Sequence, residues 1–263
     1  MKDYKVLAKQ ARLKVLEMVN RAQTSHIASN FSVIDIATVL YENLKEGDEV
    51  VWSKGWCAAS IYYFLAKQGK IPVEDLDKFQ NSEYLGLAET NVPGVLVNGG
   101  SVGHGLSVAV GMALGKKRAN EPGTIYCIMS DGELNEGSVW EAAMLAGHHK
   151  LDNLIAIVDG NGWQAMGRTA DIVSQDTDIM FTGAGWLPIK IKDGHDHAKV
   201  EKILEHSQLD GFIGRNCGGK PRILIAETIK GKGVSFMENH LLYHYKNLEP
   251  ETYLRAKEEI END

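Results

Sequence analysis

"IMSDGELNEGSVWEAAMLAGHHKLDNLIAIVDGNGW" runs from Ile128 to Trp163. It opens inside one apolar run, TIYCIM (Thr124–Met129), which breaks at Ser130-Asp131-Gly132. It closes on a second, LIAIV (Leu154–Val158), which breaks at Asn161-Gly162. Between the two, Glu136–His149 reads as a helix. Two short apolar runs joined by a helix predict neighbouring parallel strands linked by a right-handed crossover. In an open parallel sheet, ligands bind beyond the carboxyl ends of the strands. Asp131 and Asn161 then converge on one point. One carboxylate oxygen with one amide oxygen is hard-cation chemistry, because Mg2+ takes few protein ligands and completes its shell with phosphate oxygens and water. The same residues also read as plain turn formers, since Asp-Gly and Asn-Gly are common after strands. Both readings stand at this point.

Outward from that stretch the pattern stays regular. Residues 4–22 read as an amphipathic helix with Leu7, Ala11, Val15 and Met18 on one stripe, and Ser32–Leu44 reads as a second helix. EVVWSKGWCAASIYYFLAKQG (Glu49–Gly69) reads as a short strand, a turn at Ser53–Gly55 and a helix stopped by Gly69. Pro72–Phe79 reads as a short helix, and 81–100 as an aperiodic functional loop. Gly103–Ala119 and Ala198–His206 read as helices, Ile189–Lys192 and Arg222–Ala226 as strands. The alternation predicts an α/β fold: an open, mostly parallel sheet with helices on both faces. Residues 1–263 read as a single domain, with 249–263 a charged, frayed helix or tail at the surface.

NGGSVGHGLSVAVGMALGKK (Asn98–Lys117) is a glycine-rich loop feeding a helix. Its glycines permit close backbone approach to a phosphate, and the helix start adds unpaired N–H groups. It is not a strict G-x-G-x-x-G, and a tight turn before a closely packed helix explains it equally well.

Bulk properties exclude several classes. The 263 residues carry a formal charge of -7, which argues against a general nucleic-acid binder. Hydrophobic residues make up 44% and charged residues 24%, as in ordinary globular proteins. Cys57, Cys127 and Cys217 match no metal spacing, and the usage fits a reducing cytoplasm. No signal-peptide core and no membrane-spanning run are expected.

Taken together, the motifs resemble the N-terminal, diphosphate-binding half of transketolase in its split, two-subunit form. That family's thiamine diphosphate signature is a Gly-Asp-Gly followed at a distance by Asn. Here it stands as Ser130-Asp131-Gly132, with Asn161 thirty positions after Asp131. GGSVGHGLSVAVGMALG, DGHD (Asp193–Asp196) and AETIKGKGVSFMEN (Ala226–Asn239) resemble further family segments in the right order.

The resemblance implies thiamine diphosphate as cofactor, held through Mg2+ (or Ca2+). Asp131, Asn161 and the backbone carbonyl of Trp163 are the implied metal ligands. Gly100, Val102 and Gly132 are implied cofactor contacts. His26, in TSHIASNFSVIDI, and His244, in LLYHY, are the implied groups for proton transfer or hydrogen bonds to a sugar hydroxyl. Glu136 is implied near the subunit contact. The pyrimidine-binding domain, which carries the family's activating glutamate, is expected on a separate C-terminal subunit in an α2β2 assembly. The implied reaction moves a two-carbon ketol unit from a ketose to an aldose, with a sugar or sugar phosphate as substrate.

Departures from the family pattern bear on the substrate. Trp56, in SKGW, stands where the family has a histidine, and Leu87 stands in place of a second. Removing groups that hydrogen-bond hydroxyls changes which substrates are accepted. The alternatives are acyl transfer from pyruvate to a keto-sugar, or a scaffold that has lost catalysis. GRNCGGKP (Gly214–Pro221) nearly fits a P-loop, but Pro221 replaces the metal-binding hydroxyl and a strand follows where a helix is needed. His148–His149 reads as a helix end, His195 as a loop hydrogen-bonder, and Trp52, Trp140 and Trp186 as core or interface aromatics.

Overall fold

Among the described residues, five strands, all parallel, form one sheet in the computed structural model, in the order β1-β2-β3-β5-β4. The structure describes residues 2–207 and 218–263, so Gly214–Cys217 of the P-loop-like stretch, Cys217 included, lie outside the described residues. The strands are β1 (Glu49–Trp52), β2 (Ile125–Ser130), β3 (Leu154–Gly160), β4 (Leu187–Ile191) and β5 (Arg222–Glu227). The helices are α1 (Tyr4–Ala22), α2 (Ile27–Glu42), α3 (Ala58–Lys67), α4 (His104–Ala119), α5 (Gly137–His148), α6 (Thr169–Ile172), α7 (Thr177–Gly183), α8 (His197–Ser207) and α9 (Pro250–Asn262).

The apolar runs are continuous because both faces of the sheet are covered. Along β2, Tyr126 and Ile128 belong to one core, and Ile125, Cys127 and Met129 to the other. The first core is completed by α1, α2, α3, α8 and α9; the second by α4, α5 and α7. Cys57 and Cys127 are both buried and unpaired. Trp52 and Trp186 are buried, and Trp140 packs half-buried against the second core. Among the described residues, no helix is long and apolar enough to cross a membrane.

Three expectations need correction. The second helix begins at Ile27, not Ser32, and ends at Glu42. Residues 27–41 are all buried, so no polar stripe marks its start, and Ser29, Asn30 and Ser32 mimic a loop while being hydrogen-bonded inside the core. α6 and α7 add to the expected elements; they are short, and Phe181 is the one buried residue they contribute. The C-terminal segment is a helix almost to its end, docked on α1 through buried Ala256 and Ile260.

Candidate functional site

The carboxyl ends of β1, β2 and β3 open into a cleft of about 400 Å³. Asp131 and Asn161 follow β2 and β3 directly, and the β2–β3 register aligns Ser130 with Asp159. The Asp131 carboxylate accepts from the backbone N–H of Gly132 (2.9 Å) and of Gly162 (2.6 Å), and from the Thr169 hydroxyl (3.3 Å). The two strand ends are thus tied together through this one side chain. The Asn161 amide nitrogen faces Ser32 Oγ and Asp159 Oδ2, each at 3.4 Å. Its carbonyl oxygen is thereby turned the other way, where the Trp163 N–H donates to it at 3.1 Å. Burial, reinforced by the charge of Asp159, raises the Asp131 pKa to about 6.

Beneath these residues lies a buried ion pair. Lys54 donates to the Asp159 carboxylate, to the Ser29 carbonyl (2.9 Å) and to Ser32 Oγ (3.1 Å). Ser32 and Thr228 also donate to Asp159. Burial works against ionised Asp159, yet the Lys54 charge and these hydrogen bonds outweigh it and hold the carboxyl below its usual range. Glu133 is a second buried acid, taking hydrogen bonds from Ser53 Oγ (2.9 Å) and from the N–H groups of Gly103 and Ser130 (3.2 Å each). Its burial prevails over those bonds and raises its pKa to about 7.

The opposite wall holds the two predicted histidines side by side. His26 is the left-handed residue (φ 71°) that starts α2, and its backbone N–H donates to the His244 carbonyl at 3.1 Å. The His26 ring stacks on Trp56, centroids 4.5 Å apart and planes at 20°, and meets the His244 ring edge-on at 4.8 Å. Burial, with the charges of Lys230 and Lys54, lowers the pKa of His26 to about 4. Burial, Lys230 and His26 lower that of His244 to about 3. Lys230, buried behind His244, is lowered to about 8 by burial and by Lys54.

The glycine loop closes the cleft. Gly100 has φ 110°, and its carbonyl accepts the Trp56 indole N–H at 3.1 Å. A Cβ on Gly55 would stand 2.4 Å from Gly99 Cα, so the loop passes where only glycine fits. Gly100, Val102, Gly132, Asn161, Trp163, His26 and His244 all line the cleft, and Glu136 lines it from an exposed position at the start of α5. Asp131 sits just behind this lining.

Comparison with known proteins decides the family. Residues 4–261 match the model for the transketolase thiamine diphosphate binding domain. The chain belongs to the transketolase family.

Its relatives include an apulose-4-phosphate transketolase subunit of Phocaeicola vulgatus, 34% identical over 95% of this chain and 90% of the relative. The 6-deoxy-6-sulfo-D-fructose transketolase subunit SqwG of a Clostridium species is 33% identical, over 99% of this chain and 97% of its own. The transketolase of Campylobacter jejuni superposes with a TM-score of 0.91 at 30% identity, covering 99% of this chain and 43% of that one. The chain therefore carries the thiamine diphosphate binding domain of a transketolase-type transferase, and relatives of its own length are named as subunits.

The residues present fit that cofactor. A diphosphate is a polyanion, and this transketolase domain offers it the buried Lys230 ammonium, with the Lys54–Asp159 pair beneath. One carboxylate and one turned-out amide carbonyl suit a small hard cation. No cluster of three or more His, Cys, Asp or Glu side chains is placed to hold a metal among the described residues, so a metal here needs the mixed set anchored by Asp131. Sequence reasoning missed Lys54, Glu133, Asp159 and Lys230. Lys54 and Lys230 stand inside the quoted SKGW and IKGKG stretches, but their burial depends on partners far along the chain.

Proposed function

We propose that this chain is the diphosphate-binding subunit of a two-subunit transketolase-like enzyme that transfers a two-carbon ketol unit from a ketose donor to an aldose acceptor. The convergence of Asp131 and Asn161 at adjacent strand ends carries the reading: it builds a metal and diphosphate anchor from parts thirty residues apart. Asp131, Asn161 and the Trp163 carbonyl would hold Mg2+ (or Ca2+). Gly100, Val102 and Gly132 would contact thiamine diphosphate. When bound, the cofactor supplies the nucleophilic carbon and the electron sink that carbon–carbon bond exchange requires.

The chain's own side chains do the rest. Lys230 offsets diphosphate charge, while Lys54, its donors committed to Asp159, Ser29 and Ser32, holds the floor of the cleft. Lys230 donates to Nδ1 of His244 (2.7 Å), which leaves the His244 proton on Nε2, free to donate to a sugar hydroxyl or carbonyl oxygen. His26, kept neutral by burial and clamped between Trp56 and His244, accepts or donates one proton without titrating near neutral pH. Trp56 forms part of the cleft wall, its indole N–H held by the Gly100 carbonyl. The catalytic centre is completed by a separate pyrimidine-binding subunit in an α2β2 assembly, with Glu136 at the contact. Residues 1–263 act as one diphosphate-binding unit in a reducing cytoplasm.

Trp56 and Leu87 favour one second reading, acyl transfer from pyruvate to a keto-sugar, because they leave fewer groups to bind a ketose donor. Purification of this chain from its own cell tests both. A co-purifying partner and Mg2+-dependent thiamine diphosphate binding are expected. Turnover with ketose donors supports ketol transfer. Turnover only with pyruvate, with CO2 released, moves the assignment to the second reading. A folded chain with neither partner nor cofactor overturns both.

A further inference from the structure

DGHD (Asp193–Asp196) lines no part of the cofactor cleft, yet each of its residues has a task in the fold. Asp193 Oδ1 accepts from the His195 backbone N–H at 3.0 Å, which sets the turn. Gly194 passes so close to the chain after β5 that a Cβ on it would stand 2.7 Å from Thr228 Cγ2. Asp196 Oδ1 accepts from the Lys199 N–H at 3.1 Å and caps the first turn of α8. His195, its side chain 10% exposed, reaches inward to Asp35 of α2.

The His195 ring bridges an acceptor and a donor. Nδ1 lies 2.6 Å from Asp35 Oδ2. Nε2 accepts from the backbone N–H of Ile229 at 2.8 Å. Asp35 is buried in the middle of α2 and also takes hydrogen bonds from Arg12 and from Nε2 of His197 (2.8 Å). Burial works against its ionised form, yet the Arg12 charge and the two histidines hold its carboxyl below the usual range. An ionised carboxylate has no proton to give, so Nδ1 of His195 carries one. The Ile229 N–H is a fixed donor, so Nε2 is bare. Arg12 Nε donates in addition to the Lys232 carbonyl at 3.1 Å, and the Gly231 N–H donates to the Ala28 carbonyl at 3.0 Å. The backbone is therefore held at Ile229, Gly231 and Lys232, on both sides of Lys230.

We propose that His195 is a positioning residue for the cofactor cleft: its bare Nε2, oriented by Asp35 and Arg12, anchors the residue before Lys230 and so aims the Lys230 ammonium at Nδ1 of His244 and at the diphosphate. The inference rests on the reading of that cleft as a thiamine diphosphate site. The anchored N–H belongs to the Thr228–Ile229 peptide, and the Thr228 hydroxyl donates to Asp159 on the cleft floor, so one bond sets two cleft side chains. A neutral imidazole suits the task because it carries a donor and an acceptor on one rigid ring, and the partner of one nitrogen fixes the state of the other.

The test reads thiamine diphosphate affinity of the assembled enzyme by calorimetry and the His244 titration of the full chain by imidazole NMR. His195→Leu removes the acceptor. It is expected to weaken thiamine diphosphate binding by about tenfold and to raise the His244 pKa, as loss of the Lys230 contact does. His195→Gln keeps an acceptor near the far edge of the ring and should bind within about threefold of the unsubstituted protein. In a Lys230→Met background, His195→Leu should cost less than about a further twofold, because the lysine it positions is gone. A merely structural histidine would weaken binding by the same factor in both backgrounds. Equal factors, or a folded His195→Leu protein with unaltered affinity and unaltered His244 titration, overturn the proposal. Nitrogen-15 imidazole shifts of the unsubstituted chain need no substitution that might unfold it. A protonated Nδ1 with a bare Nε2 is expected at His195, and a proton on Nε2 overturns the assignment. An assembly that binds no thiamine diphosphate removes the cofactor reading, while the tautomer and the His244 titration still decide the positioning role.

Discussion

The Lys230 ammonium lies 2.7 Å from Nδ1 of His244, and the two side chains fix each other's protonation. The lysine donates, so the imidazole accepts at Nδ1 and stays neutral. Replacing Lys230 by Met removes a buried cation from the diphosphate cleft and frees the ring. Thiamine diphosphate affinity of the assembled enzyme, measured by calorimetry, is expected to fall by about tenfold or more. The His244 pKa, followed by imidazole NMR, is expected to rise toward the ordinary histidine range. An unchanged titration would show that burial alone holds the ring neutral.

His26 and His244 make the fold sensitive to acid. Their pKa values in the fold, about 4 and about 3, lie below the unfolded value. Between these limits the unfolded chain binds more protons than the folded one, so stability rises with pH. The contribution is complete above the unfolded pKa of about 6.5 and is lost as pH falls toward 4. Each ring is partly exposed; after allowance for solvent screening the loss is about 1 to 2 kcal/mol per ring. Asp131 and Glu133, raised to about 6 and about 7, act in the opposite sense over the same window. The check is therefore the difference in urea unfolding between pH 7 and pH 5 for the unsubstituted protein and for the His26→Gln, His244→Gln double variant, which should lack the histidines' share of the slope.

Asp131→Asn should abolish metal-dependent cofactor binding while leaving the sheet intact. An expected drop of at least about a hundredfold in thiamine diphosphate affinity follows from losing the one anionic metal ligand in the set. Chelation of divalent metal from the unsubstituted protein should produce the same loss, reversed by adding Mg2+. Retained affinity after chelation would remove the metal from the assignment.

Lys54→Met leaves Asp159 buried without its cation. A cost of about 3 to 5 kcal/mol in unfolding free energy is expected. The pair with Asp159→Asn should cost less than the sum of the two single changes by at least about 1 kcal/mol, because the charges are in direct contact. Chemical denaturation of the four proteins gives the coupling. Additive costs would mean that the pair does not act as a unit.

Gly55→Ala tests the close approach at the mouth of the cleft. The added methyl would lie 2.4 Å from Gly99 Cα, so the 99–103 loop must move. A loss of about 1 to 3 kcal/mol in stability is expected, with a larger proportional loss of cofactor affinity, since Gly100 and Val102 belong to the displaced loop. Thermal unfolding with and without cofactor separates the two effects.

The strands, the longer helices between them and the placement of Asp131 and Asn161 at the ends of adjacent strands were legible in the chain itself. Their signals are local: a buried parallel strand is a short apolar run, and the breaks at Ser130-Asp131-Gly132 and Asn161-Gly162 sit where such runs end. The helical character of 4–22 was equally plain, because one face of α1 is apolar and the other charged. What the sequence could not decide is everything that depends on distant partners. α2 is buried on all sides, so its polar residues hid its first turn. Lys54, 105 positions from Asp159, reads as a surface lysine until β1 and β3 bring the two together. The pKa values of His26 and His244 fall because α2 and the Leu241–His244 turn enclose them beside Lys230. The pattern of apolar residues sets where strands and helices form, since each element buries its own face. Charge state and ligand chemistry depend on desolvation and on neighbours far apart in the chain, and the tertiary structure alone supplies both.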